Sequence, residues 1–185
     1  MTRYTENKVT LREHLDTIDQ NSVANTNNFK SLTKRLKKHF INSGYPNSAL
    51  IPDVIEEYIH MIFETQDYRC THWLIVAEHE LNGVWNRPGN RYNSWRTKQV
   101  NYEIDHVNPV NAGGKDRLDN FQFLSANANA FVKCSLTYSD LLRRRDLSVD
   151  LKDRIKHVLT KRQQLFQSQK WKDYVFMLEQ IEGRA

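Results

Sequence analysis

Residues 102–133, YEIDHVNPVNAGGKDRLDNFQFLSANANAFVK, decide how this chain is read. Residues 100–104 suit a strand that ends at Asp105-His106. Asn108-Pro109 breaks it, and Ala112-Gly113-Gly114 supplies a loop. Residues 121–124 form a short apolar run, hence a second strand. Ser125 is placed to cap a helix that runs to about residue 133. The expected product is a hairpin with a helix across it, bringing Asp105 toward Asn129. Asn127 competes with Asn129, but it lies about 200° away around a helix of 3.6 residues per turn. Lys133 shares the face of Asn129.

Helical patterns flank this unit. Phe29, Leu32, Leu36 and Phe40 recur at helical spacing and stop at Asn42-Ser43-Gly44. Lys30, Lys34, Arg35, Lys37 and Lys38 fill the other faces, either as a solvated surface or as a track for phosphates. Asp53, with Glu56 three positions on, resembles a capping box that opens a second helix. Its stripe is Val54, Ile55, Tyr58, Ile59, Ile62 and Phe63, with His60 expected to be structural. Residues 68–77 read as a strand, and Asn82-Gly83 as a hairpin turn. Ser148 suits the N-cap of a long helix carrying Leu151, Ile155, Val158, Leu159 and Leu165. Trp171, Tyr174, Val175, Leu178 and Ile181 form a last amphipathic set. The expected divisions are an N-terminal arm and linker (1–28), a helical flank (29–66), the central unit with its preceding loop (67–136) and a C-terminal helical region (137–185).

Composition narrows the class. The chain has 185 residues, 39% hydrophobic, with a net charge of +5. Nothing approaches a membrane-spanning run or a signal peptide, so a cytoplasmic protein is expected. The basic balance favours a polyanionic partner. Cys70 and Cys134 are too few for a disulfide framework, and with His72 they make no tetrahedral zinc set.

The central unit carries chemistry. Hydrolysing a phosphodiester requires a proton acceptor for the attacking water, a cation for the charged phosphorane and stabilisation of the leaving oxygen. Asp105 offers a charged oxygen and Asn129 a neutral amide oxygen, both suited to a hard divalent ion. An imidazole has an ordinary pKa of about 6.5, so a histidine such as His106 suits a proton acceptor near physiological pH.

Taken together, Asp105, His106, Asn120 and Asn129 resemble the HNH endonuclease family, whose catalytic fold is the ββα-metal motif. The resemblance covers residues 102–133 and no more of the chain. It implies an α+β, helix-rich protein built around such a core. It implies that His106 is the general base, Asp105 and Asn129 are metal ligands, and Asn120 braces the loop and orients the histidine. Pro109, Gly113-Gly114, Leu124 and Lys133 also fall where family members often have them. Ser125 and Ala128 stand where zinc-bearing members place a Cys-x-x-Cys pair, which sets this chain apart from them. The implied cofactor is Mg²⁺ or Mn²⁺, and the implied products carry 5′-phosphate and 3′-hydroxyl ends.

Phosphate contacts position a protein without specifying sequence, so specificity must come from flanking elements. Residues 84–100 (VWNRPGNRYNSWRTKQV) interleave Arg87, Arg91, Arg96 and Lys98 with Trp85, Tyr92 and Trp95. This loop either reads base edges and stacks or is a basic surface over buried tryptophans. Arg143, Arg144 and Arg145 are further phosphate-contact candidates, and Lys133 is either one as well or a solvated helix end. The expected partner is double-stranded DNA, engaged by a homodimeric type II restriction enzyme of bacterial or phage origin. The alternatives are a phage or mobile-element nicking or homing enzyme, a non-specific nuclease toxin, and an inactive DNA-binding module.

Overall fold

A computed structural model describes residues 26–67, 70–71, 102–125, 128–129 and 133–182. The basic loop 84–100, the Asn82-Gly83 turn and most of the N-terminal arm lie outside these residues. Of the expected strand over 68–77, only Cys70 and Thr71 are described. Both are buried, and neither is in a strand.

Helix α1 (Thr26–Asn42) starts earlier than the apolar spacing suggests. Its Leu32, Leu36 and Phe40 are buried at the expected four-residue interval. Each such side chain contributes about 1.5–3 kcal/mol through burial. Gly44 ends the helix at φ +99°, a left-handed conformation that favours glycine. The Gly44 and Tyr45 N–H groups donate back to Ile41 and Phe40, closing the turn.

Helix α2 (Pro52–Thr65) corrects one expectation. Ile51 is its N-cap and makes no side-chain capping bond, so Asp53 does not open a capping box. Pro52 takes the first helical position, where its missing N–H costs nothing and its fixed φ suits the helix. The expected apolar stripe is buried, whereas His60 lies on the exposed side.

Strands β1 (Tyr102–His106) and β2 (Phe121–Ser125) form a two-stranded antiparallel sheet. The register pairs Asp105 with Gln122 and His106 with Phe121. Successive side chains alternate between faces, so the hairpin has two different sides. Tyr102 and Phe123 pack on Phe63 of α2, at ring distances of 4.9 and 4.7 Å. Glu103, Asp105 and Gln122 occupy the opposite side. A strand edge exposes backbone groups that need partners. Buried Gln66 supplies them for Phe123, donating to its carbonyl at 2.6 Å and accepting from its N–H at 3.0 Å.

Among the described residues, three helices follow: α3 (Tyr138–Arg143), α4 (Val149–Gln167) and α5 (Gln169–Glu182). Thr137 and Asp140 form a reciprocal capping box for α3. Ser148 caps α4 as expected, accepting from the Leu151 N–H. One hydrophobic core draws on α1, α2, both strands and the three C-terminal helices. The described structure is therefore helix-rich α+β with a small antiparallel sheet. Among the described residues, no helix is long and apolar enough to cross a membrane.

Candidate functional site

The polar side of the hairpin meets the segment that follows β2. Asn129 donates from Nδ2 to Glu103 Oε2 at 2.7 Å. Lys133 Nζ lies 3.7 Å from Asp105 Oδ2 and donates to the His106 carbonyl at 3.2 Å. The Cys134 N–H reaches back five residues to the Asn129 carbonyl at 2.8 Å, a wider turn than an α-helix makes. Asn129 and Lys133 thus share a face turned toward β1, as their spacing suggests. The amide of Asn129, however, meets Glu103 rather than Asp105.

Asp105 is held from two directions. Gln122, its cross-strand neighbour, donates to Oδ2 at 2.7 Å, and Tyr138 in turn donates to Gln122 at 2.7 Å. Burial pushes the Asp105 carboxyl above its ordinary value, and Lys133 and Gln122 only partly oppose this. Burial likewise pulls the Lys133 ammonium down, with Asp105 opposing. Lys133 was expected at a phosphate or at a solvated helix end. Its side chain is instead 0% exposed.

His106 faces the other way from Asp105, as strand alternation requires. Its Nε2 lies 2.7 Å from Asp116 Oδ1, and its ring packs on Phe121 and edge-on to His39. Asp116 also accepts from Asn42 Nδ2 at 2.9 Å, and His39 Nδ1 stands 3.7 Å from Oδ1. Burial pushes the Asp116 carboxyl up, but the hydrogen bonds from Asn42 and His106 and the two nearby imidazoles outweigh it. The carboxyl is held below its ordinary value. Burial lowers the His39 imidazole, Asp116 opposes that, and His106 adds to it.

Asn120 braces the loop between the strands. Its Oδ1 accepts from the Asn108 N–H at 2.8 Å, and its Nδ2 donates to the Asn108 and Lys115 carbonyls, each at 3.0 Å. Its own carbonyl accepts from the Val107 N–H at 2.8 Å. From beneath, buried Arg162 donates to the Asp119 carbonyl at 2.9 Å. The loop carrying Asp116 is therefore tied to the end of β1, next to His106.

Arg143 is exposed on the last turn of α3, and Arg144 is engaged by Asp146. Arg87, Arg91, Arg96 and Lys98 fall outside the described residues. The sequence reading missed Glu103, which the two-residue alternation with Asp105 would have flagged. It also missed Gln122, Asp116, Asn42 and His39, which no local pattern marks.

Glu103, Asp105 and Asn129 offer hard oxygen donors on one side of the hairpin. That chemistry fits a Mg²⁺-like ion, which takes one or two carboxylates and keeps several waters. Among the described residues, no three His, Cys, Asp or Glu side chains group closely enough to hold an ion unaided. Compared with known proteins, the chain matches no family model, no curated protein and no solved structure.

Proposed function

We propose that this chain is a metal-dependent DNA endonuclease of the HNH type, with residues 102–133 as its ββα-metal core. One observation carries the reading: Asn129 and Lys133 meet Glu103 and Asp105 across the hairpin. The proposed core needs a contact between the first strand and the segment after the second to bring ligands from both to one place. The triple bonding of Asn120 across the loop supports the same reading.

In this reading His106 takes the proton of the attacking water. The new P–O bond forms as the bond from phosphorus to the 3′ oxygen breaks, leaving 5′-phosphate and 3′-hydroxyl ends. Asp105 and Asn129, with Glu103 beside them, would hold the divalent ion, Mg²⁺ or Mn²⁺. When bound, that ion neutralises charge on the phosphorane and the leaving oxygen. Gln122 keeps the Asp105 carboxylate oriented, and Asn120 keeps the loop closed over the end of β1.

Double-stranded DNA is the proposed substrate. Lys34, Arg35 and Lys38 line a groove of about 610 Å³ beside His39 and Glu103. A cationic groove of this kind suits a phosphate backbone. The biological form proposed is a sequence-specific restriction endonuclease acting as a homodimer. A discrete fragment ladder on phage DNA is the expected product, and a smear would point to a non-specific nuclease.

The Lys133–Asp105 pair favours a second reading, a DNA-binding module, because it already neutralises the carboxylate. Plasmid cleavage in Mg²⁺ against EDTA separates the two. Nicking or linearisation that needs the ion and disappears in His106→Ala, with DNA binding retained, supports the endonuclease. Binding without cleavage under any divalent ion supports the module.

A further inference from the structure

His106 is oriented by a residue that no local pattern marks. The imidazole ends β1, Asp116 lies in the loop between the strands, and Asn42 and His39 come from the end of α1. These three parts of the chain converge on one carboxylate. Asn42 occupies Oδ2 at 2.9 Å, leaving Oδ1 to His106 Nε2 at 2.7 Å. His39 Nδ1, at 3.7 Å from the same oxygen, is beyond hydrogen-bond reach and is buried without a hydrogen-bond partner among the described residues.

An ionised carboxylate only accepts hydrogen bonds. The nitrogen of His106 that faces Asp116 must therefore carry the proton. The other nitrogen, Nδ1, then keeps the lone pair. A 2.7 Å separation is a hydrogen bond and is too short for two ligands spread around a metal ion.

We infer that Asp116 is the positioning residue of the proposed general base: it fixes the Nε2–H tautomer of His106 and so assigns proton acceptance to Nδ1. The inference rests on the endonuclease reading for its catalytic meaning, and on the geometry alone for the tautomer. As His106 takes the water proton on Nδ1, the ring becomes an imidazolium with both nitrogens protonated. Asp116 then faces a cation at Nε2 and stabilises it. Asn42 keeps the carboxylate from turning away. His39 fills the remaining side of Asp116, against Phe121 at a ring distance of 5.0 Å.

The test uses the full chain labelled with ¹⁵N-histidine, with His106→Gln to assign the resonance. Long-range ¹H–¹⁵N correlation at neutral pH should show His106 with a pyrrole-type Nε2 and a pyridine-type Nδ1. A proton on Nδ1 in the wild type overturns the inference, whether or not the protein cuts DNA. Asp116→Asn should leave DNA affinity within about twofold while lowering the single-turnover cleavage rate at saturating DNA and Mg²⁺ by about 100-fold or more. It should also mix or reverse the His106 tautomer. A rate within about threefold of wild type would sink the positioning role. If the wild type itself does not cleave, the endonuclease reading fails, and the spectra still decide what Asp116 does to His106.

Discussion

Lys133 Nζ lies 3.7 Å from Asp105 Oδ2, and the lysine side chain is wholly removed from solvent. A buried ion pair is weak evidence of stabilisation, but removing one partner leaves a buried charge without compensation. Lys133→Met should therefore cost about 3 kcal/mol at neutral pH, measured by urea denaturation. Adding Asp105→Asn should recover most of that cost. A single-variant cost below about 1 kcal/mol would mean that Asp105 finds other compensation.

Asn129 bears on the proposed ion directly. Asn129→Ala and Asp105→Ala should each raise the Mn²⁺ concentration needed for half-maximal cleavage by about tenfold or more, or abolish activity. Calorimetric titration with Mn²⁺ gives the same comparison without cleavage. If Asn127→Ala weakened the ion and Asn129→Ala did not, Asn127 rather than Asn129 would face the ion.

Gly114 is a close-approach position. A Cβ there would lie 1.8 Å from the Asn108 carbonyl oxygen and 2.9 Å from that of Pro109. Both contacts are with backbone, so no side chain can swing aside. Gly114→Ala should destabilise the fold by on the order of 2–4 kcal/mol and disturb the loop that Asn120 braces. Thermal unfolding within about a degree of wild type would show that the loop can rearrange freely.

Asp67 links α2 to α4 and sets a pH dependence. It sits at φ 52° just past α2, facing Arg154, His157 and Lys161. Burial alone would push its carboxyl up, but Lys161, Arg154 and His157 outweigh that and hold it below the ordinary value. A carboxyl depressed in the folded state stabilises the fold fully above its unfolded pKa and ceases to do so as pH falls through the folded pKa. Asp67→Asn, which tolerates the left-handed backbone, should cost about 0.5–1 kcal/mol at pH 7 because the group is partly solvent-screened. That difference should shrink as pH falls below the ordinary carboxylate range. An equal gap at neutral and acidic pH would assign the effect to shape rather than charge.

Much of the architecture follows from local chemistry. The four-residue spacing of Leu32, Leu36 and Phe40, the Ser148 cap and the short run ending at Leu124 each dictate an element. Gly44 stops α1 where a left-handed residue is needed. Pro52 overrides the Asp53 capping pattern for an equally local reason. The Thr137–Asp140 capping box is legible in the same way. The pairing of Asn129 and Lys133 on one face follows from helical spacing, and the opposite facing of Asp105 and His106 follows from strand alternation.

The surroundings of His106 have no such signature. His39 and Asn42 are neighbours on α1 at i, i+3, but neither they nor Asp116 carry a periodic relation to His106. They meet because Leu36 and Phe40 of α1 and Phe121 of β2 bury their apolar surface in one core, which carries the end of α1 to the hairpin loop. Hydrophobic burial is non-directional, so it specifies that these faces come together without announcing which polar groups arrive with them. Propensity and spacing act over a few residues and dictate helices, strands and turns. Which carboxylate faces which imidazole depends on how those elements pack, and packing acts between residues that are far apart along the chain.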